Sequence, residues 1–545
     1  GSQGCSELSR LSWQPFLMGH ASSSCCANDD KQAVEDIQAC INGLSVATTQ
    51  PPATSSAAAI SSTEITCSVD TVSKKGVDLT YTASSLSLLR GIFLRRTLQG
   101  GGGLWRRNPT TLTHEQLAVN FASSEPVQSL DVFFSHSWLT PGRWKFLSLL
   151  VRNGWPYMLA AWATGTALAC VGVLLGVLPL MYEWEFFEGE VIPMSCWAIV
   201  AGVFSSTGGL LLFPYICGKD RRCFLDCACI DQTDQARMQA GIRSIGGFLQ
   251  AAEELHVLWS EPYLTRLWCV FELAAYQKLN PSGKVTIAPV FVEVIVCLLF
   301  VYLHVASWFF VAIRTSTLGR TIWIWIALAC FGGSLFPLVH ALRHICAYKQ
   351  VLLSNVGNFQ FETLACANGS DRDTIREAIV RWYGSVEAFS EFVRNSFRKV
   401  VHDSVKTPGG MPFGYVFLLA TPMLNAYLDR WLSLLHAGSP VETVWAHFAS
   451  SIFAVSLAFY PAVIGVGLYA CDRWARDWSC SPVAVLQTVG IGLTVWILFA
   501  LGTIASSVAY RANETSSLLL WIGAALLFAF LMWRCLWQQR GPCTS

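Results

Sequence analysis

Charge is scarce in this sequence. Only 13% of its 545 residues are Asp, Glu, Lys or Arg, where a soluble domain carries about 25%. That composition argues against a chain that folds wholly in water. The charge present almost cancels, with 37 basic against 36 acidic side chains and a net of +1. No basic surplus points to a nucleic-acid partner. Cysteine is plentiful, at 20 residues, but no Cys-x-x-Cys pair has a matched second half. Cys223, Cys227 and Cys229 cluster without the spacing of a zinc site, so no metal is expected. Cys170, Cys297 and Cys330 lie in apolar runs and act there as small apolar residues; free thiols on a reduced face are the expectation. Gly100–Gly103 and Gly246-Gly247 do not fit a phosphate-binding loop, and no repeat of about 20–50 residues is present. The chain opens on Gly1, with no signal-peptide pattern, as a fragment or a processed form would.

Apolar residues are what the chain does have, 53% of the total with a mean hydropathy of +0.43. Runs of about 20 apolar residues read as membrane-spanning helices. Eight runs qualify: Trp155–Met181, Val191–Cys217, Ala288–Ile313, Thr321–His340, Phe413–Leu435, Val444–Ala470, Pro482–Tyr510 and Ser516–Leu536. The fifth is interrupted by Pro422, Asp429 and Arg430. Trp155, Tyr157, Tyr182, Trp184, Trp533 and Trp537 sit where interfacial aromatics belong. Glu293 and His304 share one helical face of the third run, and ionisable residues inside a membrane point to function by default.

The spans also imply an arrangement. The first two form a hairpin, which returns residues 219–281 to the side of residues 131–155. The next two return residues 346–410 to that side. Arg143, Lys145, Arg152, Arg221, Arg222, Arg343, Lys349, Arg398 and Lys399 flank spans there, which assigns that side to the cytosol. The opposite loop holds Glu183, Glu185, Glu188 and Glu190 and no basic residue. Arg314 and Arg320 run against the rule. Before residue 129 the Ser/Thr/Ala-rich tract Ser45–Ser62 and the glycine run read as linkers that bury too little to fold. Leu86–Leu98, with Arg90, Arg95 and Arg96, reads either as a basic amphipathic helix on the membrane surface or as a solvated segment.

The chemistry-bearing stretch is Ser260-Glu-Pro-Tyr-Leu-Thr-Arg-Leu-Trp-Cys-Val-Phe-Glu272-Leu273. A short apolar run, Leu255–Trp259, reads as a buried strand before it, and Leu264–Leu279 as a helix within it. Trp268 and Glu272 then share a helix face, just past a strand's carboxyl end, where open α/β sheets place their sites. Upstream, Asp131-Val-Phe-Phe-Ser135-His136-Ser137-Trp138 reads as a strand covered on both faces. Cys223-Phe224-Leu225-Asp226 reads as another. Met238, Ile242, Ile245 and Leu249 recur at helical spacing, and Val285–Val290 reads as a fourth strand.

These segments resemble, in order, the strands and helices of TIR (Toll/interleukin-1 receptor-like) domains. The likeness covers residues 129–155 and 219–290. It implies a cytosolic flavodoxin-like parallel sheet with strand order second, first, third, split by the first membrane hairpin (155–217) and followed by a second (288–340). Residues 346–410 are then placed to complete the domain, and 413–536 form a four-helix membrane region. The fold class is thus a multipass α-helical membrane protein of about eight spans bearing an α/β domain. Some TIR domains hydrolyse NAD+ with a glutamate at the position of Glu272, and others only assemble. The resemblance makes Glu272 the catalytic candidate and puts Ser135, His136, Ser137, Trp138, Asp226 and Trp268 around the substrate. NAD+ enters as substrate; no cofactor is implied. The implied partners are the lipid bilayer and further copies of the chain. Departures are plain: Ser137 and Trp138 stand where catalytic members often carry basic residues, Arg266 replaces a serine, and the long apolar insertion is foreign to an ordinary TIR domain. Read from the residues alone, Glu272 is catalytic, or it faces solvent or pairs with Arg266. Trp268 suits packing, His136 a structural loop, Asp226 a loop cap and His256 a core position. Signalling through the domain, by self-association or NAD+ cleavage, is the leading expectation. A silent interaction module and a transporter with a regulatory domain are the rivals.

Overall fold

The computed structural model describes residues 87–187, 190–216, 218, 220–315, 320–366, 369–405, 411–412, 414–475, 481–512 and 514–537. The expected linker tract 45–62 lies outside them. Residues 87–128, expected to be linker, are not. Strand β1 (Arg90–Phe93) and a short helix, Leu94–Leu98, replace the expected amphipathic helix or coil. The reason is that Leu89, Ile92, Leu94 and Leu98 all find a core, while the arginines find protein partners. Arg90 Nε donates to Ser124 Oγ (2.9 Å) and Arg95 Nη2 to the Tyr157 hydroxyl (2.7 Å). A capped helix, His114–Ala122, follows, with Thr113 and Gln116 forming a reciprocal capping box.

Strand β2 (Glu125–Pro126) pairs antiparallel with β1, and β3 (Leu130–His136) forms the centre of the sheet. The chain then enters α1 (Gly142–Leu174), a single helix of 33 residues, about 50 Å long. The stretch from Gly142 and most of the expected first span are therefore one rod. Pro156 lies inside it, as spanning helices tolerate. The carboxylate-rich turn is a two-stranded hairpin, β4 (Tyr182–Phe187) with β5 (Glu190–Met194), so the second expected span begins as strand. Its helix, α2 (Trp197–Leu212), starts later and packs along α1. The alternating polar and apolar residues Tyr182-Glu-Trp-Glu-Phe carry the period of a strand.

Strand β6 (Arg222–Phe224), two helices (Gln235–Arg243 and Ile245–Gln250), β7 (Ala252–Trp259), α3 (Leu267–Leu279) and β8 (Lys284–Pro289) follow. The six strands form one mixed sheet in the order β2-β1-β6-β3-β7-β8. Strands β6, β3, β7 and β8 are parallel, with Val132 opposite Cys223 and Phe133 opposite Leu255. The expected order of second, first, third strand is present. Phe133 and Phe224 stack across it at 4.6 Å. The connection from β3 to its parallel neighbour β6 runs out along α1 and back along α2. On the far side β8 passes directly into α4 (Val290–Thr315) and then α5 (Arg320–Gly357).

The described residues between Phe361 and Val405 are mostly helical and pack against the sheet domain. The Leu267 N–H donates to the Ala365 carbonyl (3.1 Å), and α6 (Gly369–Tyr383) lays Trp382 5.8 Å from Phe271. Helices α7 (Gly414–His436), α8 (Val441–Arg473), α9 (Pro482–Arg511) and α10 (Thr515–Trp537) complete the chain. Within α8 the turns of Phe448–Phe459 are π-helical.

Among the described residues six helices are long and apolar enough to cross a membrane: α1, α2, α4, α8, α9 and α10. Large apolar side chains stay exposed on them, such as Leu486 (73%) and Leu520 (77%), a surface suited to hydrocarbon rather than water. The expected span Phe413–Leu435 is helix α7, but Asp429, Arg430 and Pro422 lower its hydropathy and most of it is buried. The expected span Thr321–His340 falls largely on side chains outside the described set. Glu293 and His304 make separate contacts. Glu293 accepts from Ser148 (2.8 Å) and Tyr415 (3.2 Å) and faces Arg152 (3.6 Å), while His304 Nδ1 lies 2.9 Å from the Phe300 carbonyl.

One charged group inside the sheet sets an acid limit. Glu254 is buried and accepts from Arg221 (2.7 Å), with His256 Nδ1 at 3.3 Å and Lys284 at 3.4 Å. Burial pushes its pKa up, but hydrogen bonds from His256, Arg221 and Thr286 outweigh this and hold it well below the usual carboxylate range. Burial lowers the pKa of His256 itself, so it serves as a neutral donor. A depressed carboxyl stabilises the fold above its unfolded pKa and loses that contribution as pH falls. The thermal midpoint of the sheet domain is expected to drop between about pH 5 and 3, and Glu254→Gln to flatten that drop. An unchanged acid dependence in the variant contradicts the assignment.

Candidate functional site

The site is built at the carboxyl ends of β3, β6 and β7. Alternation along β3 sends Phe134 and His136 to one face and Ser135 to the other. On that face the first turns of α3 present Glu272. Ser135 Oγ donates to Glu272 Oε2 at 2.5 Å, and the Tyr263 hydroxyl lies 2.7 Å from the same Ser135 oxygen. Tyr263 is fully buried in the short turn between β7 and α3 and also donates to the Cys269 carbonyl (3.2 Å). Ser260, one residue past β7, meets Thr140 side chain to side chain at 2.5 Å, tying the two loops together.

A second cluster sits beside the first. Asp226 opens the short helix after β6; its Oδ2 accepts from the Trp138 indole at 2.8 Å and its Oδ1 from the Cys227 N–H at 2.7 Å. Lys145, buried near the start of α1, lies 4.4 Å from the Trp138 ring centroid and donates to the Ser137 carbonyl (3.2 Å).

Glu272 keeps some accessible surface although it is enclosed on most sides. Burial pushes its pKa up to about 8, against the Ser135 hydrogen bond, and the nearby charge of Asp226 adds to the rise. Burial also raises Asp226, opposed by Trp138 and Cys227. Tyr263 is driven well above its usual value by burial, with Cys269 and Glu272 adding to it. Two interacting carboxyls with separately perturbed titrations are what acid–base sites are made of.

Of the expected site residues, Ser135, Trp138, Asp226 and Glu272 come together here. His136 is turned away from Ser135 and Glu272 and packs against Trp138. It is buried on the other face of the strand, its ring 5.5 Å from Trp105 and 4.7 Å from Trp138, and burial followed by the Lys145 charge lowers its pKa well below normal. It is a core residue. Ser137 is a turn residue, its Oγ accepting the Leu139 N–H at 3.2 Å. Trp268 meets Phe271 edge-on at 5.5 Å, on the flank where Trp382 packs, so its role is packing. Tyr263 and Lys145 had no assigned role from sequence. The signal for Tyr263 was its place in the turn between strand and helix; for Lys145 it was its standing, with Arg143, among the basic residues nearest Trp138 in the sequence. Among the described residues no group of three or more His, Cys, Asp or Glu side chains is placed to hold a metal ion.

The chain matches no family model, no curated protein and no solved structure.

Proposed function

We propose that this is a membrane-anchored signalling protein whose TIR-like, flavodoxin-like domain hydrolyses the nicotinamide–ribose bond of NAD+ when copies of the chain assemble. The observation that carries the reading is the Ser135–Glu272 hydrogen bond of 2.5 Å, which fixes a carboxyl group at the carboxyl end of the central strand, where such sheets bind ligands. Carbon–nitrogen cleavage leaves the electron pair on nicotinamide, which departs neutral. The ribosyl carbon becomes oxocarbenium-like and is captured by water, whose proton passes to the site or to solvent. A fixed carboxylate beside that carbon stabilises the charge as it develops. Glu272 rests near the protonated state at neutral pH, and the cationic nicotinamide ring of the substrate favours its ionised form. Incubating the purified full chain with NAD+ and measuring free nicotinamide tests the reading; no release by correctly folded protein at any concentration sinks it.

The silent interaction module is favoured by one observation. The positions after the first parallel strand are Ser137 and Trp138, the latter tied to Asp226 and backed by a buried Lys145, rather than exposed basic residues ready for a dinucleotide. Self-association without nicotinamide release supports that alternative.

The bilayer supplies the scaffold in this reading, with α5 and α7 bringing the spans to eight and the basic flanks placing the domain in the cytosol. Cysteines introduced at position 139, exposed in the loop after β3, and at position 186 of a cysteine-depleted chain, in intact membranes permeabilised from one side at a time, are then expected to react from opposite sides. Reaction of both from the same side contradicts the split-domain topology.

A further inference from the structure

We propose that the helical bundle is a hydrocarbon-binding protein in its own right, holding a segment of a lipid acyl chain in an internal cavity. The inference is independent of the chemistry at Glu272. A cavity of about 110 Å³ lies among α4, α5, α7, α8 and α9. Its wall is aliphatic and aromatic, with Leu303, Val339, Leu419, Val463, Leu468 and Phe499 as typical members. Tyr460 and Phe499 stack face to face at 4.2 Å and 7° and give it a flat aromatic boundary.

The two tyrosine hydroxyls on the wall are already engaged. The Tyr460 hydroxyl lies 2.5 Å from Thr503 Oγ1 and 3.3 Å from the Tyr427 hydroxyl. Tyr302, also on the wall, is hydrogen-bonded to the side chain of Ser334. A buried water needs two to four polar partners, and these walls do not supply them. An ionised or sugar-like ligand would meet no partner for its charge or hydroxyls. A dry apolar cavity instead takes an apolar guest, and an engineered cavity lined by Leu, Ile and Phe does so in another protein. An acyl chain is the occupant of that chemistry because its source surrounds the wall helices. The outer face of α4 exposes Val301 and Val305, and that of α9 exposes Leu486 and Leu501, so hydrocarbon is the solvent of the helices that enclose the space. The cavity lining provides no charged side chain for a head group. The specificity is therefore for the chain, whether it belongs to a phospholipid or to a free fatty acid.

The test reconstitutes the full chain into phosphatidylcholine vesicles with either a phosphatidylcholine or a fatty acid carrying a diazirine on its acyl chain, followed by irradiation and peptide mapping. Labels are expected on inner-wall residues such as Leu303, Leu419 and Val463, as well as on the outward Leu486 and Leu520. Ala306→Phe with Ala420→Phe, two substitutions that fill the cavity from α4 and α7, should abolish the inner labels and leave the outer ones as an internal control. Inner labelling by the phospholipid probe supports a bilayer lipid as the source. Inner labelling by the fatty acid probe alone supports the same cavity with a free acid as its ligand. Labels confined to outward residues of the wild-type chain overturn the proposal whether or not the filled variant folds. Inner labels that persist in a monodisperse filled variant overturn it as well.

Discussion

Glu272→Gln is expected to abolish nicotinamide release while leaving the sheet domain folded. Glutamine preserves the volume and can still accept from Ser135, so the hydrogen bond at the end of β3 survives in form. The charge that stabilises an oxocarbenium-like state does not. Loss of one such electrostatic contribution costs about 10²–10³ in kcat, and because the interaction acts mainly in the transition state KM should change little. The pH dependence separates this role from a packing role. With the pKa raised to about 8, the needed carboxylate is lost as pH falls, so kcat/KM of the wild type should decline on the acid side of about pH 8. Stability runs the other way. A carboxyl whose folded pKa exceeds its unfolded value costs the folded state increasingly as pH rises between the two. The glutamine variant should therefore gain thermal stability relative to wild type at alkaline pH. Release that is unchanged in the variant removes Glu272 from the chemistry; a stability gain without any release in either protein leaves Glu272 as a buried structural acid.

The second large effect is expected at Glu293. This carboxylate is fully buried where α1, α4 and α7 meet, held by Ser148, Tyr415 and Arg152. Ser148 and Arg152 lie on the same stretch of α1 as Lys145, which backs Trp138 in the candidate site. Glu293 therefore joins the helix that leaves β3 to the helix that leaves β8. Removing one partner of a buried pair leaves the other charge uncompensated, at a cost of about 3–5 kcal/mol. Arg152 keeps partial exposure, 27% of its side chain, which places the expected cost toward the lower end. Glu293→Ala should thus lower the thermal midpoint of the whole chain sharply, and Glu293→Gln, which keeps one acceptor oxygen for Ser148 or Tyr415 but also leaves Arg152 without its counter-charge, by a smaller amount. The transporter alternative makes a different prediction: Glu293→Gln would fold normally and lose ion or solute flux in reconstituted vesicles. A folded Glu293→Ala variant with an unchanged midpoint contradicts the structural assignment.

The central sheet was legible because its strands are unambiguous in pattern. Leu130–His136 and Ala252–Trp259 are runs buried on both faces, and turn residues bound each of them. Position on those strands then made Ser135, Asp226 and Glu272 readable as neighbours. The errors came where local pattern and tertiary partner disagree. Arg90, Arg95 and Arg96 among leucines read as a membrane-surface helix, but Ser124 and Tyr157, distant in sequence, give two of the arginines hydrogen bonds, and part of the segment becomes a strand paired on both sides, with β2 and β6. His136 and Ser135 are adjacent in sequence and opposite in space, because a strand sends successive side chains to opposite faces. Trp268 shares a helix face with Glu272 yet leans on Phe271, and Trp382 on Phe271's far side belongs to a segment with no recognisable motif. The continuity of α1 was hidden because the apolar run that marks a span begins only at Trp155, whereas the helix already starts at Gly142.

The reading of the site as an assembly-dependent enzyme is tested most directly by titrating protein density. Full-length chain is reconstituted at increasing protein-to-lipid ratio, with total protein held constant, and nicotinamide release from NAD+ is measured at each ratio. The account predicts release per molecule that rises with density, with Glu272→Gln silent throughout. Absence of release at every density, from protein whose sheet domain is folded, would contradict it.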